Sequence, residues 1–209
     1  MSIGRLVVGL LGPDIPAHLR DDFTLLTTQH MRGQARLLFA GFILSLPMVT
    51  YGASPGAGPA IAYGIPLIVL LLSSAGLVTL SKPARDARDP REARRTIGRI
   101  WRLCLATAAI GGVWCIASWA TAPAETRIYY PAIMSLGALT LGYCLTAVRG
   151  IGISVLLVSL APAAAVLAWS GGAMDIVLAV SMIIAIGFQV TMMVRHQQLL
   201  LGLVEARYD

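Results

Sequence analysis

The chain has 209 residues, of which 57% are hydrophobic and only 12% charged, far from the balance of a soluble domain. Its net charge of +6 comes from arginines gathered in a few segments. That pattern suits basic loops beside anionic lipid headgroups, and no nucleic-acid partner is expected from it.

A bilayer core needs roughly 20 apolar residues per helix, at about 1.5 Å of rise each. Six stretches approach that length, at about 35–53, 60–80, 101–122, 131–148, 151–169 and 174–194. None holds Lys, Arg, Asp or Glu away from its ends, as the cost of a charge at membrane depth requires. The expected fold is an all-α membrane protein of six transmembrane helices in three hairpins.

Residues 1–34 precede the first span. Ile3, Leu6, Val7, Leu10 and Leu11 share one helical face beside Arg5, which predicts a short interfacial helix before Gly12-Pro13. A second helix is expected from about Ile15 into span one. This segment has no cleavable-leader pattern of small residues after an apolar core.

Spans one, two and five contain Pro47, Pro66 and Pro162, each of which removes a backbone hydrogen bond and is a potential kink. The outer links Gly52–Pro59, Ala122–Tyr130 and Ser170–Ala173 are too short to fold into an external domain. A signal, if there is one, must therefore be detected in or beside the bilayer. The inner link Ser81 to Ile100 is long and basic, with Asp86, Asp89 and Glu92 interleaved among arginines. The other inner link reduces to Arg149 and Gly150.

With the amino terminus inside, all of the 16 Lys and Arg residues except Arg127 fall on the inner side. The positive-inside rule then places both termini in the cytoplasm. Tyr51, Tyr63, Trp119, Tyr129, Tyr130 and Trp169 fall near outer span ends and Trp101 near an inner one, as in an interfacial aromatic belt.

Rows of small residues favour close helix contacts: Thr107, Gly111 and Cys115; Cys104, Ala108 and Gly112; Ala138 and Gly142. The three histidines, His18, His30 and His196, lie outside the spans, so paired-His haem or metal ligation at membrane depth is not expected. Cys104, Cys115 and Cys144 form no CxxC pair and read as apolar fillers. No catalytic constellation, metal set or resident cofactor is read from these residues. The polar residues at depth that stand out as candidate ligand contacts are Trp114, Tyr143 and Gln189.

The sixth span meets no Gly/Pro stop and continues into Val194-Arg195-His196-Gln197-Gln198-Leu199. It is expected to leave the membrane as a signalling helix from residue 195 to 209. Gln189, Arg195, Leu199, Leu200, Leu203 and Val204 are the candidate transmitting residues and dimer contacts, at spacing compatible with a two-stranded coiled coil.

Three features carry a family resemblance. Asp21-Asp22-Phe23 opens a helix that runs through Arg32 and Arg36 into span one. The basic loop ends Arg94-Arg95-Thr96-Ile97-Gly98-Arg99-Ile100-Trp101, and the exit Val194–Leu199 leads into an arm. With these features the chain resembles the amino-terminal six-helix membrane region of bacterial GGDEF-class diguanylate cyclases. The resemblance implies a homodimer whose arm regulates a cytoplasmic domain that joins two GTP molecules into cyclic di-GMP. These residues contain no GGDEF motif, so no catalytic position transfers to them. The rival expectation is an accessory subunit docked by its apolar faces onto a larger membrane complex.

Overall fold

In the computed structural model the described residues are 20–52, 56–81 and 89–205, the last three by their backbone alone. The expected amino-terminal interfacial helix lies outside them. All the regular elements among them are helical. They are α1 (Arg20–Tyr51), a π-helical turn (Ala60–Gly64) leading into α2 (Ile65–Ser81), α3 (Pro90–Thr121), α4 (Tyr129–Cys144), α5 (Arg149–Ser170) and α6 (Ala173–Glu205).

Local chemistry sets the boundaries. Asp21 and Asp22 occupy the first turn of α1, where the helix dipole favours negative charge. The π turn precedes Pro66, and the Ile65 amide reaches back to the Ala60 carbonyl. Asp89 caps α3, its carboxylate accepting from the Arg91 amide at 2.8 Å, with Pro90 in the first turn. This cap shortens the expected 81–100 loop: α3 begins at Pro90 and carries its arginines on helix before the apolar run starts. α5 ends at Gly171, whose left-handed φ of 71° suits a residue without Cβ.

Among the described residues, five helices are long and apolar enough to cross a membrane: Arg20–Tyr51, Ala60–Ser81, Pro90–Thr121, Arg149–Ser170 and Ala173–Gly202. The fourth expected span is shorter than its apolar run. α4 has 16 residues and rises about 24 Å, against a hydrocarbon core of about 30 Å. It stops at Cys144 because Leu145–Val148 close into a turn. There the Leu145 amide bonds to the Leu141 and Gly142 carbonyls and the Val148 amide to Leu145. The short link is therefore this buried turn, and Arg149 and Gly150 already belong to α5.

α5 is the central helix. Of its apolar window 56% is buried, against 17–39% in the other four. One half of the core joins Met31, Leu38 and Phe39 of α1 to Leu80, Ile100, Cys104, Leu141 and Val155. The other half joins Trp114, Cys115 and Tyr130 to Ala163, Leu167, Ala179 and Met182. At the arginine-rich end Arg32 and Arg36 both donate to the Leu80 carbonyl, placing two cations at the negative end of α2. At the opposite end Arg127 pairs with Asp175 at 2.7 Å. Tyr51, Tyr63 and Trp169 project from the surface, as a belt requires, but Tyr130 is buried and donates to the Gly52 carbonyl at 3.0 Å.

Candidate functional site

Two features stand out: an apolar cavity among the helices, and the packing of α6 where it approaches the arm.

The cavity has a volume of about 130 Å³ and touches five helices, through Phe42 of α1, Pro66 of α2, Thr107 and Trp114 of α3, Gly137 of α4 and Ser159 of α5. Its lining contains no Asp, Glu, Lys or Arg. Trp114 is buried and meets the edge of Tyr130 at 5.5 Å between ring centres. Since the Tyr130 hydroxyl is fixed on Gly52, the indole is held in place. Among the described residues neither the Trp114 Nε1 nor the Thr107 hydroxyl has a hydrogen-bond partner.

The small-residue rows of α3 serve different purposes. A Cβ built on Gly112 would sit 3.5 Å from the Ser159 carbonyl oxygen, so the Cys104–Gly112 row gives the close helix contact. Thr107 and Gly111 of the other row line the cavity, together with Ala108 of the first. Sequence spacing shows both rows, but not which residues meet a neighbouring helix and which a void.

The three expected ligand contacts do not share one site. Trp114 lines the cavity, whereas Tyr143 is 63% exposed on the outer surface of α4. Gln189 is buried on α6, its Cγ 3.2 Å from where a Gly142 Cβ would be. Gly142 is thus the gap that admits this amide, and the Gln189 side chain packs within its own bundle.

Along α6, Arg195 and Leu199 face outward, Leu199 being 68% exposed. Leu200 is buried with Phe23 of α1 and Ala147 of the α4–α5 turn. Of the six residues expected to transmit, Gln189 and Leu200 are buried in the bundle, while Arg195 and Leu199 lie on the surface. The side chains of Leu203 and Val204 lie outside the described set.

The start of the arm is therefore docked on α1. His196 meets His30 there, with ring centres 5.8 Å apart. Burial, together with His30, pushes the His196 pKa below its usual 6.5. The folded protein thus favours neutral His196, and an undocked arm takes up a proton first. Docking strength is complete above about pH 7 and falls as pH drops through about 6.5 toward the lowered value. Hydrogen exchange of the Gln197–Leu201 amides, corrected for intrinsic chemistry, should accelerate between about pH 7 and 5. His196→Asn should remove that pH dependence.

Several pairings escaped the sequence reading, among them His30 with His196, Arg127 with Asp175 and Arg94 with Asp21. Each joins residues distant in the chain, and no local spacing signals them. No protein-family model, no curated protein and no solved structure matches the chain.

Proposed function

We propose that the chain is a sensory and transmitter module of a bacterial inner membrane, with six spans and both termini in the cytoplasm. It acts as a homodimer and passes its signal through α6 to a cytoplasmic output domain, a diguanylate cyclase that makes cyclic di-GMP from GTP. The observation that carries this reading is the unbroken course of α6 from Ala173 to Glu205, past the charge of Arg195. A helix that projects beyond the apolar zone without a break transfers rotation or sliding to whatever follows it.

Two further features support it. The connection Gly171–Gly172 is minimal, and Ala122–Ile128 is short, so the input lies within the helices. Ala138 lines the cavity and also packs in the cluster that holds Met193 of α6, two residues before Arg195. An occupied cavity thus has a packed route to the arm. As the fourth of the six spans, α4 brings the chain back so that Arg149 shares one end of the bundle with Arg32, Arg36 and Leu80.

A Gly-Pro insertion after Arg195, in the chain fused through Asp209 to a cyclase domain, should abolish regulated cyclic di-GMP output while membrane insertion stays intact. Regulation that survives the insertion overturns the transmitter reading.

A further inference from the structure

We propose that a hollow and a groove between α1 and α4 together seat one phospholipid with a primary-amine headgroup. Its ammonium faces Glu125, and one acyl chain lies along Gly41 and Gly137. The binding site stands by itself; its use as a signal input rests on the sensory reading above.

Two voids meet on this side of the bundle. One is an open hollow of about 540 Å³ at the end opposite the arginines, with Met48, Tyr51, Glu125, Thr126 and Tyr129 in its walls. The other is a groove of about 400 Å³ between α1 and α4. Met48 and Tyr129 line both, so the two adjoin. Along α4 the groove reaches from Tyr129 to Cys144, and its lining holds no Asp, Glu, Lys or Arg. That stretch rises about 22 Å, against about 15 Å for one leaflet's half of the hydrocarbon core. An extended acyl chain therefore fits lengthwise.

Glycines give the groove its depth. Gly41 and Gly137 line it from facing helices, and a Cβ built on either would meet nothing within 4 Å. The wall at these points is bare backbone, which a methylene chain can approach closely.

The headgroup is selected by charge. The hollow lies at the level of Tyr51, which is 95% exposed, as a tyrosine of the headgroup zone is. Among the described residues the acidic or basic side chain in its walls is Glu125, which is exposed. Asp175, the other acid near this end, is already held by Arg127 at 2.7 Å. A cation complements the Glu125 carboxylate, and a primary ammonium also donates hydrogen bonds to it. The lipid phosphate then falls toward the first turn of α4, where the helix dipole favours negative charge. Choline keeps the positive charge without the N–H donors, and a purely anionic headgroup is repelled. A larger hollow of about 870 Å³ between α1 and the π turn supplies the contrast: its walls hold no charged side chain, so headgroups find no charge there to choose between.

The test uses the 209-residue protein in phosphatidylcholine bicelles, into which phosphatidylethanolamine or phosphatidylglycerol with the same chains is exchanged. The methyl resonance of Met48, assigned through Met48→Leu, reads the site, because this residue lines both voids. A threefold preference, typical of an exposed charge pair, should bring the ethanolamine lipid to half-occupancy at about a quarter of the total lipid. The glycerol lipid should need more than half. Glu125→Gln should move the ethanolamine midpoint to about half, since an exposed side chain changes without cost to the fold. Gly137→Leu, which fills the groove without meeting a neighbour, should leave Met48 indifferent to the exchange. An ethanolamine midpoint at half or above, an unmoved midpoint in Glu125→Gln, or an unchanged response in Gly137→Leu overturns the assignment. A Met48 shift produced equally by soluble phosphoethanolamine would assign the hollow to a free amine and overturn the lipid. Selective binding that leaves the output of a fused cyclase unchanged upholds the site and counts against the sensory reading.

Discussion

Replacing Arg127 with leucine is expected to destabilise the protein by about 2 kcal/mol. The Asp175 carboxylate is only 3% exposed and accepts from Arg127 Nη2 at 2.7 Å and from Ser170 Oγ at 2.8 Å. Removing the guanidinium leaves a buried negative charge with a single hydroxyl donor. Breaking a fully buried pair costs about 3–5 kcal/mol. Arg127 is itself 36% exposed, and water near it lowers the figure. The same guanidinium lies 5.5 Å over the Trp119 ring, so the variant also loses a cation–π contact.

A double-mutant cycle separates the charge from the packing. Asp175→Asn keeps the shape of the side chain and removes the charge, so Arg127→Leu with Asp175→Asn should be more stable than Arg127→Leu alone. Unfolding midpoints in mild detergent suffice as the readout, and additive losses would show that the charge is not what matters. Gly172 belongs to the same unit: a Cβ there would stand 2.7 Å from the Asp175 Oδ2. The pair ties the α3–α4 connection to the first turn of α6, closing the end of the bundle opposite the arginines.

How far such contacts can be read from sequence depends on the solvent. The apolar runs of α2, α3, α5 and α6 were plain because a bilayer demands length and lack of charge. The turns at Gly52, Ala122 and Gly171 announced themselves through Gly, Pro and polar residues. α4 was overextended, since Leu145 to Val148 are as apolar as a span and their turn depends on local hydrogen bonding. The interior faces were not legible. In water an apolar stripe marks the core, but lipid is as apolar as leucine, so Phe39 in the core and Leu44 facing outward carry the same signal. Trp114 was found because a polar tip at depth is rare; Thr107 was hidden because hydroxyls in membrane helices usually bond to their own backbone.

The packing around Met193 bears most directly on transmission, and Gly152→Leu is expected to cost about 3 kcal/mol there. The Met193 methyl is fully buried between two glycines. A Cβ built on Gly152 would lie 2.6 Å from it, and one built on Gly142 would lie 3.2 Å from it. A thioether adapts in open space, but this one is packed in one cluster with Ala138, Ile153, Leu156 and Leu160, so making room for a larger side chain disturbs that packing. A leucine at Gly152 presses on the contact between α5 and α6. Met193→Ala in the same chain restores the room, so the double variant should recover to within about 1 kcal/mol of the parent. Unfolding in bicelles checks both, and a double variant less stable than Gly152→Leu would show that the strain lies elsewhere. If α6 transmits, that disturbance falls two residues before Arg195. Gly152→Leu should then shift the basal output of a fused cyclase with no ligand present, and Met193→Ala should return it. A stability loss alone would lower the amount of folded protein in the membrane, whereas a displaced α6 changes output per folded molecule. Normalising output to the folded protein therefore separates the two effects.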